Sequence, residues 1–533
     1  MTLAPRFLVN LWAGYRASRL VRRLKSPGYS IAAQKAAFAS AMDRLSRTIY
    51  GRSHRLIPTT TYDQFRETIP PHTYDYFQPL IERMVAGEPD VLSPGRCRFF
   101  VETAGTTGNA PKVLPAPEPM LAQFRHGLRD SLLLYSANEG HAGVFLGRHL
   151  HLGASTALTE KNHAYHTSLD GMLALCLSPW TEANLYAPPR PISELPEGLD
   201  KTQRIAQTML SRDVTLVGGT PAAIAALTQT VRDIASTPKQ RMTHLQAVWP
   251  NLECCAFLGA PLGLHAELLR EALGPTVHFH ELYAAAEGVF AAQDNGSPTA
   301  LRLLADTGVF FEFLPLRRFA EETVHHAGAE CVPLEKVQTG IDYVLVLTTP
   351  AGLCRYVSGD IVRFVSTEPP RLQFAGRTQL QLNAFGEHVS EREVLDTLTT
   401  VCHRHSWHAV NFHVAPFSVR PVAGRVTHGH EWWLELRTHT HKTPTAATLG
   451  PEFDAELASR NPDYAAKRAT HAISAPVVRL VIPGVFDQWT ETRRRAGHVS
   501  RLPHCRSDRH IADQLAELSP FHHTTDPFAT TTH

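Results

Sequence analysis

The sequence predicts an α/β protein: a large N-terminal domain with β-sheets flanked by helices, followed by a smaller α+β C-terminal domain. Three observations carry this. Short apolar runs rich in β-branched residues alternate with stretches whose apolar residues recur every three or four positions. Small-residue turns such as Gly218-Gly219-Thr220-Pro221 close a strand and open a helix, where proline's fixed φ is an advantage. The 533 residues, 43% of them hydrophobic and 19% charged, supply material for more than one core.

Residues 6–25 begin with an apolar run and continue into Arg16, Arg19, Arg22, Arg23 and Lys25, the reverse of a secretory signal. A packed first helix is expected there, with a helix lying on a membrane surface as the alternative. Residues 30–48 and 75–87 have helical spacing, Cys97 to Val101 is strand-like, and residues 116–138 form a long helical pattern. Val144 to Leu150, Val214 to Val217, Cys255 to Leu258, Thr276 to His280 and Val344 to Thr348 read as strands, and their alternation with helices implies much parallel sheet. Near Phe374-Ala375-Gly376-Arg377 the chain is expected to pass from a first domain, 1–376, to a second, 377–533. The second has a helix over Glu391 to Thr399, strands around Ala409 to Val414 and Glu431 to Leu436, a hairpin loop over Pro421 to Gly429 and a helix over Phe453 to Ser459. The Thr-rich tail 524–533 is expected to be disordered.

Composition removes several function classes. A formal charge of +2 lacks the basic excess of a nucleic-acid binder. No apolar run approaches ~20 residues, so no membrane span and no integral membrane association are expected. The eight cysteines are scattered without a CxxC pair, which predicts free thiols and a cytoplasmic location. No HExxH spacing points to zinc. A monomer is the default expectation.

The most informative segment is Thr103-Ala104-Gly105-Thr106-Thr107-Gly108-Asn109-Ala110-Pro111-Lys112, directly after a strand. Glycines let backbone N–H groups approach an anion, Thr106 and Thr107 offer hydroxyl donors, and Lys112 offers positive charge. The lysine lacks the Walker framing, and an ordinary surface loop is an equal reading of this run taken alone. Three later segments accompany it: Tyr283-Ala284-Ala285-Ala286-Glu287-Gly288, a small-residue turn with one aromatic and one carboxylate; Gly352 to Asp360, ending in an acid on a turn; and Gly376-Arg377 followed by Asn383 to Glu391. Each has a plain structural alternative: a helix N-terminal carboxylate for Glu287, a core residue for Tyr283, a turn aspartate for Asp360, a salt bridge for Arg377 and for Arg355. His278 and His280 flank a strand and read as core or edge residues.

The order of these segments resembles the acyl-CoA synthetase/luciferase superfamily of adenylate-forming enzymes. More narrowly, the chain is similar to the Gretchen Hagen 3 family of acyl-acid amido synthetases. The narrower likeness rests on Thr48 to His54, Ile69-Pro70-Pro71-His72-Thr73-Tyr74, Trp249-Pro250-Asn251-Leu252, Asn461-Pro462-Asp463-Tyr464 and Arg509 to Asp513. The resemblance implies an ATP- and Mg²⁺-dependent ligase that activates a small carboxylic acid as an acyl-adenylate and passes it to an amine or amino acid. It implies that Thr103, Gly105, Thr106, Thr107 and Gly108 hold phosphates, with Lys112 assisting. It implies that Glu287 binds Mg²⁺, that Tyr283 stacks on adenine beside Ala284 and Ala285, that Asp360 accepts the ribose hydroxyls and that Arg377 contacts ribose or phosphate. Gly218, Gly219 and Thr220 edge an acyl pocket or simply start a helix. Four positions depart from the family pattern: Ala104 for Ser, Gln379-Leu380 where an Asp is usual, His388 for Lys, and Arg501-Leu502-Pro503-His504 where Lys-Val/Leu-Pro-Arg is usual. Arg501 then stands for the lysine that reaches the α-phosphate, a swap of a point charge for a planar fork. It leaves two alternatives open: an acyl transferase of the same fold using a pre-activated thioester, and a degenerate, non-catalytic nucleotide binder.

Overall fold

In the computed structural model the described residues are 6–103, 112–236, 242–258, 266–297, 299–419, 427–438, 445–495 and 502–519. Helices Arg6–Leu24, Tyr29–Ser46, Ile49–Ser53, Tyr62–Thr68 and Tyr74–Val85 come first. Their apolar faces bury Met42, Phe65, Phe77 and Ile81 in one cluster with Tyr356. Thr61 and Gln64 form a capping box that starts Tyr62–Thr68.

A small sheet follows, in the order Val113–Pro115, Phe99–Glu102, Ala164–Thr167, Thr159–Lys161. The large sheet has twelve strands, and its two halves differ. Tyr186–Ala187, Arg148–Leu152, Val214–Gly219, Cys254–Leu258 and His278–Ala285 pair in parallel. From His278–Ala285 onward, Gly288–Gln293, Leu301–Leu303, Pro370–Arg377, Tyr356–Thr367, Asp342–Thr348, Phe310–Pro315 and Val332–Pro333 are antiparallel. The expected parallel pairing is thus confined to one half. Helix Pro221–Ala235 carries one parallel crossover, whereas two-residue turns join Ala285 to Gly288 and Thr367 to Pro370.

Two local expectations change. Val144 to Leu150 is not one strand: Gly143–Leu146 is a 3₁₀ turn and the strand is Arg148–Leu152. The Val144 carbonyl accepts from the Thr215 hydroxyl (2.8 Å) and lies 2.9 Å from His149 Nε2, so side chains satisfy it in place of a ladder. Asp360 is not on a turn. It lies inside Tyr356–Thr367, at an irregular stretch where Gly359 has φ +84°, a conformation that favours glycine.

Beyond Arg377 the strands belong to other sheets. Gln381–Leu382 pairs with Val389–Ser390, and Trp407–Val419, Thr427–Thr438 and Val477–Leu480 form a three-stranded sheet. Helix Glu391–His405 opens with a Ser390/Glu393 capping box and runs past the expected Thr399, stopping where Ser406 turns left-handed (φ 54°). Helix Ala446–Arg460 buries Leu449, Phe453 and Leu457 with Trp432 and Leu434. Most of the expected loop Pro421 to Gly429 lies outside the described residues, though Gly429 itself is in a strand. The tail 524–533 also lies outside them.

Candidate active site

The base of the Gly-Thr loop is clamped. Phe99–Glu102 and Val113–Pro115 run antiparallel, and at their ends Thr103 N–H donates to the Lys112 carbonyl (2.9 Å) while Lys112 N–H donates to Thr103 Oγ1 (3.0 Å). The Thr103 hydroxyl therefore has one acceptor position committed to the loop stem and keeps its proton to donate. Gly105, Thr106, Thr107 and Gly108 lie outside the described residues, as does Arg501.

Lys112 reaches from this stem to the large sheet. Its Nζ lies 3.3 Å from Tyr356 Oη, and two aromatic rings hold it, Tyr74 at 5.4 Å and Tyr356 at 5.9 Å to the centroid. Tyr74 is itself fixed by Val113, whose N–H donates to its hydroxyl (2.9 Å) and whose carbonyl accepts from it (3.2 Å). His72 pairs with the start of Tyr356–Thr367: its carbonyl accepts from Val357 N–H and its N–H donates to the Arg355 carbonyl. This seam brings Tyr74 alongside Tyr356.

The Tyr356 ring is fully buried and its hydroxyl accepts from Lys112; burial and then the nearby Glu287 push that hydroxyl up in pKa. Glu287 sits in the two-residue turn between His278–Ala285 and Gly288–Gln293, so it is a hairpin-tip carboxylate and not a helix-start one. Its carboxyl is pushed up in pKa by burial and then by the neighbouring Asp360, with Lys112 and Arg377 pulling it down. Asp360 is 4% exposed and already engaged on both oxygens. Tyr283 donates to Oδ2 (2.7 Å), and Arg377 Nε donates to Oδ1 (3.1 Å). Each oxygen retains one further acceptor position.

Tyr283 is 2% exposed, with its ring against Phe290 (5.1 Å) and Phe374 (5.5 Å). That burial leaves it no open face for a purine; its hydroxyl holds Asp360. Ala284 and Ala285 continue the same strand, half-buried, toward the Glu287 turn.

Arg355 explains how these strands keep their spacing. It is fully buried, donates twice to Glu312 (2.9 Å each) and donates to the carbonyls of Ile69, Arg66 and Gly328. It therefore pins the segment before Tyr74 to the strand that carries Tyr356 and Asp360.

Other candidates fall elsewhere. His280 is buried on Ser131 Oγ (2.8 Å) and His278 is exposed beside Glu139, both ordinary structural placements. Thr220 caps Pro221–Ala235 through Ala223 N–H, and Gly219 has Leu152 pressed against it. Of the Arg-Leu-Pro-His segment, His504 stacks on Phe412 (4.4 Å) and pairs with Glu391 (2.9 Å), so it is anchored in the C-terminal sheet. Sequence reasoning missed Tyr74, Tyr356 as a hydroxyl, and Glu281, whose half-buried carboxyl is raised to about 7 by desolvation. His126, Asp130 and Asp306 cluster as a metal site would, but Arg23 lies 3.0 Å from both aspartates and supplies the positive charge.

Chemically, the arrangement presents a lysine and an arginine flanking two carboxyl groups, with Asp360 aimed by the buried Tyr283 hydroxyl and Lys112 held on the buried Tyr356 hydroxyl. Cations and carboxylates interleaved in this way suit a polyanion whose charge is shared with a metal ion.

The chain matches the GH3 family N-terminal domain over residues 28–174, the GH3 family central domain over 302–377 and the GH3 family C-terminal domain over 392–509, together more than half its length. Among curated relatives, the probable indole-3-acetic acid-amido synthetase GH3.1 of Arabidopsis thaliana is 27% identical over 37% of this chain and 32% of that protein. The jasmonoyl–L-amino acid synthetase GH3.5 of Oryza sativa subsp. japonica is 30% identical over 26% of each. The chain spans about a third to a half of the length of the first curated relatives it matches. In fold it is similar to AtGH3.15 acyl acid amido synthetase in complex with 2,4-DB (TM-score 0.73, 18% identity, 95% of this chain and 96% of that one). It is also similar to 2-hydroxyisobutyryl-CoA ligase in the postadenylation state (TM-score 0.56, 14% identity, 93% and 94%).

Proposed function

This chain belongs to the GH3 family, and on that premise we propose that it is a ligase that adenylates a small carboxylic acid with ATP and transfers the acyl group to an amine. The observation that carries the reading is the convergence of Lys112, Asp360 and Arg377, from three separate segments, on the buried hydroxyls of Tyr356 and Tyr283 and on each other, with Glu287 of a fourth segment close enough to feel the charges of all three. The reaction forms an acyl–phosphate bond at the α-phosphorus with loss of pyrophosphate; the amine then attacks the carbonyl and AMP leaves. Two relatives are named for indole-3-acetic acid and jasmonoyl conjugation, which supports a small aromatic or cyclic acid and an amino acid as substrates here.

In this reading Asp360 binds the ribose hydroxyls with the two acceptor positions it retains, while Tyr283 and Arg377 fix its plane. Lys112, held between Tyr74 and Tyr356, meets the phosphates at the stem of the loop that contains Gly105, Thr106, Thr107 and Gly108. Magnesium fits the carboxyl set: burial and Asp360 both oppose ionisation of Glu287, and a divalent cation held by Glu287 removes that opposition. Bound there, it would neutralise phosphate charge. We place the acyl pocket near Gly218, Gly219 and Thr220, and assign Arg501 to the α-phosphate. Residues 1–376 form the nucleotide-binding domain in this proposal, and residues 377–533 move as a lobe about 376–383, where Gly376 has φ +134°. The enzyme acts as a monomer in the cytoplasm, in keeping with eight cysteines that are all free and buried.

Thermal stabilisation by ATP with Mg²⁺, beside GTP and no nucleotide, is the first test, followed by acid-dependent pyrophosphate release. A selective rise with ATP and release on adding acid and amine are expected. Product from an acyl thioester without ATP would establish the transferase instead. ATP binding without any turnover, and no rescue by Arg501→Lys, would establish a non-catalytic binder.

A further inference from the structure

Helix Arg6–Leu24 has two opposed apolar faces. One packs: Ala13, Ala17, Leu20 and Leu24 are buried, and the last three join Met120, Leu121 and Phe124 of helix Glu118–Glu139 in one cluster. The helix is fastened at both ends. Asn10 Oδ1 accepts from Ala142 N–H (3.0 Å), and Arg23 bridges Asp130 and Asp306 (3.0 Å each). The second face is uncovered. Phe7 (63% exposed), Leu11 (67%) and Tyr15 (59%) follow one another at four-residue spacing, flanked by Leu8 (46%) and Trp12 (52%). At 3.6 residues per turn this stripe lies about half a turn from the buried one. It cannot be buried by rolling the helix without exposing Ala17, Leu20 and Leu24.

Charge identifies the occupant. The helix sequence contains no aspartate or glutamate. Along the exposed side the apolar stripe gives way to Arg19 and Arg22, then Lys25, all exposed, and Arg16 lies over the Trp12 ring (5.6 Å). Among the described residues, Arg16, Arg19, Arg22 and Lys25 have no carboxylate partner, whereas most arginines elsewhere on the large sheet are paired. Aromatic and aliphatic side chains beside unpaired basic ones match a headgroup layer carrying negative charge. A second copy of the helix would offer these basic residues no carboxylate, because it carries none itself. We propose that this face seats the protein on an anionic lipid surface, with Phe7, Leu11, Trp12 and Tyr15 entering the headgroup region and Arg19, Arg22 and Lys25 contacting lipid phosphates. No helix of the described residues is long and apolar enough to cross a membrane, so the attachment is peripheral.

Co-flotation of the full chain with vesicles tests this, using phosphatidylcholine alone and phosphatidylcholine with roughly one third phosphatidylglycerol. The protein should float with the anionic vesicles only, and high salt should release it. Arg19→Glu/Arg22→Glu should weaken binding more than about twentyfold, since each basic residue near such a surface contributes roughly fivefold. Leu11→Ser/Trp12→Ser should abolish flotation with thermal stability unchanged, because neither side chain is buried. Equal binding to neutral vesicles, or none to either, overturns the proposal. Concentration-dependent self-association removed by Leu11→Ser/Trp12→Ser overturns it in favour of a protein partner.

Discussion

Asp360 and Arg377 are direct partners across two antiparallel strands, and the guanidinium Nε donates to the carboxylate at 3.1 Å. Tyr283, on a third strand, donates to the other oxygen at 2.7 Å. The carboxylate is thereby held in one plane before any ligand arrives, the preorganisation that makes a charged acceptor effective. Asp360→Asn keeps the shape but replaces one acceptor by a donor that faces Arg377 or Tyr283. Acid-dependent pyrophosphate release should fall by about a hundredfold or more. Tyr283→Phe leaves the charge and loosens the plane, and should cost about tenfold, mostly in the KM for ATP. Equal, small effects of both would remove Asp360 from the site.

Tyr356 stands between a cation and a carboxylate. Its hydroxyl accepts from Lys112 Nζ at 3.3 Å, and the neighbouring Glu287 charge raises its pKa, so the oxygen lies in the field of the two groups assigned to phosphate and magnesium. Tyr356→Phe deletes only that oxygen. We expect kcat to drop by about tenfold and the concentration of Mg²⁺ needed for half activity to rise, with stability lower by about 1–2 kcal/mol. A Tyr356→Phe variant with wild-type magnesium dependence would reduce the hydroxyl to a packing role.

Arg355 and Glu312 form an ion pair with side-chain exposures of 0% and 1%. Removing the guanidinium alone strands Glu312 with Tyr62 as its remaining donor (2.9 Å). Arg355→Met should cost about 3–5 kcal/mol in chemical denaturation. Pairing it with Glu312→Leu should recover only part, because the carbonyls of Arg66, Ile69 and Gly328 lose their donor whatever stands at 312. Full recovery in the double variant would show that those three carbonyls find other partners.

The reach of the sequence is clearest at particular residues. Val344 to Thr348 is readable as a strand from its β-branched apolar run, but such a run is buried on both faces in either orientation, so it carries no sign of the antiparallel pairing it adopts. Lys112, Glu287, Asp360 and Arg377 stand out because charged residues beside small ones in a recurring order are uncommon in cores. Tyr74 and Tyr356 do not, since a tyrosine in an apolar segment looks like packing. What makes their hydroxyls matter are Val113 and Lys112, 39 and 244 positions away along the chain. Pairings at such separations are set by topology and leave no local pattern. Glu281 sits between His280 and Leu282 in a strand whose alternation suggests an outward, solvated position, but it is half-buried, and the desolvation that raises its carboxyl comes from residues distant in sequence, a feature the strand pattern cannot show.

Glu281 gives a pH dependence with a definite sign. Burial raises its carboxyl from 4.5 to about 7, with Arg392 only partly opposing the shift. Between those two pH values the folded protein holds a proton that the unfolded chain has released. Stability therefore falls as pH rises through this window and stays low above it. Glu281→Gln removes the titration while keeping the size of the side chain, so the variant should gain on the wild type as pH rises from 4.5 to 7, by up to about 3 kcal/mol above neutrality, and should match it near pH 4. Denaturation of both proteins from about pH 4 to 8 reads this directly. A constant difference between them at all pH values would mean that the Glu281 carboxyl is solvated and titrates in the ordinary range.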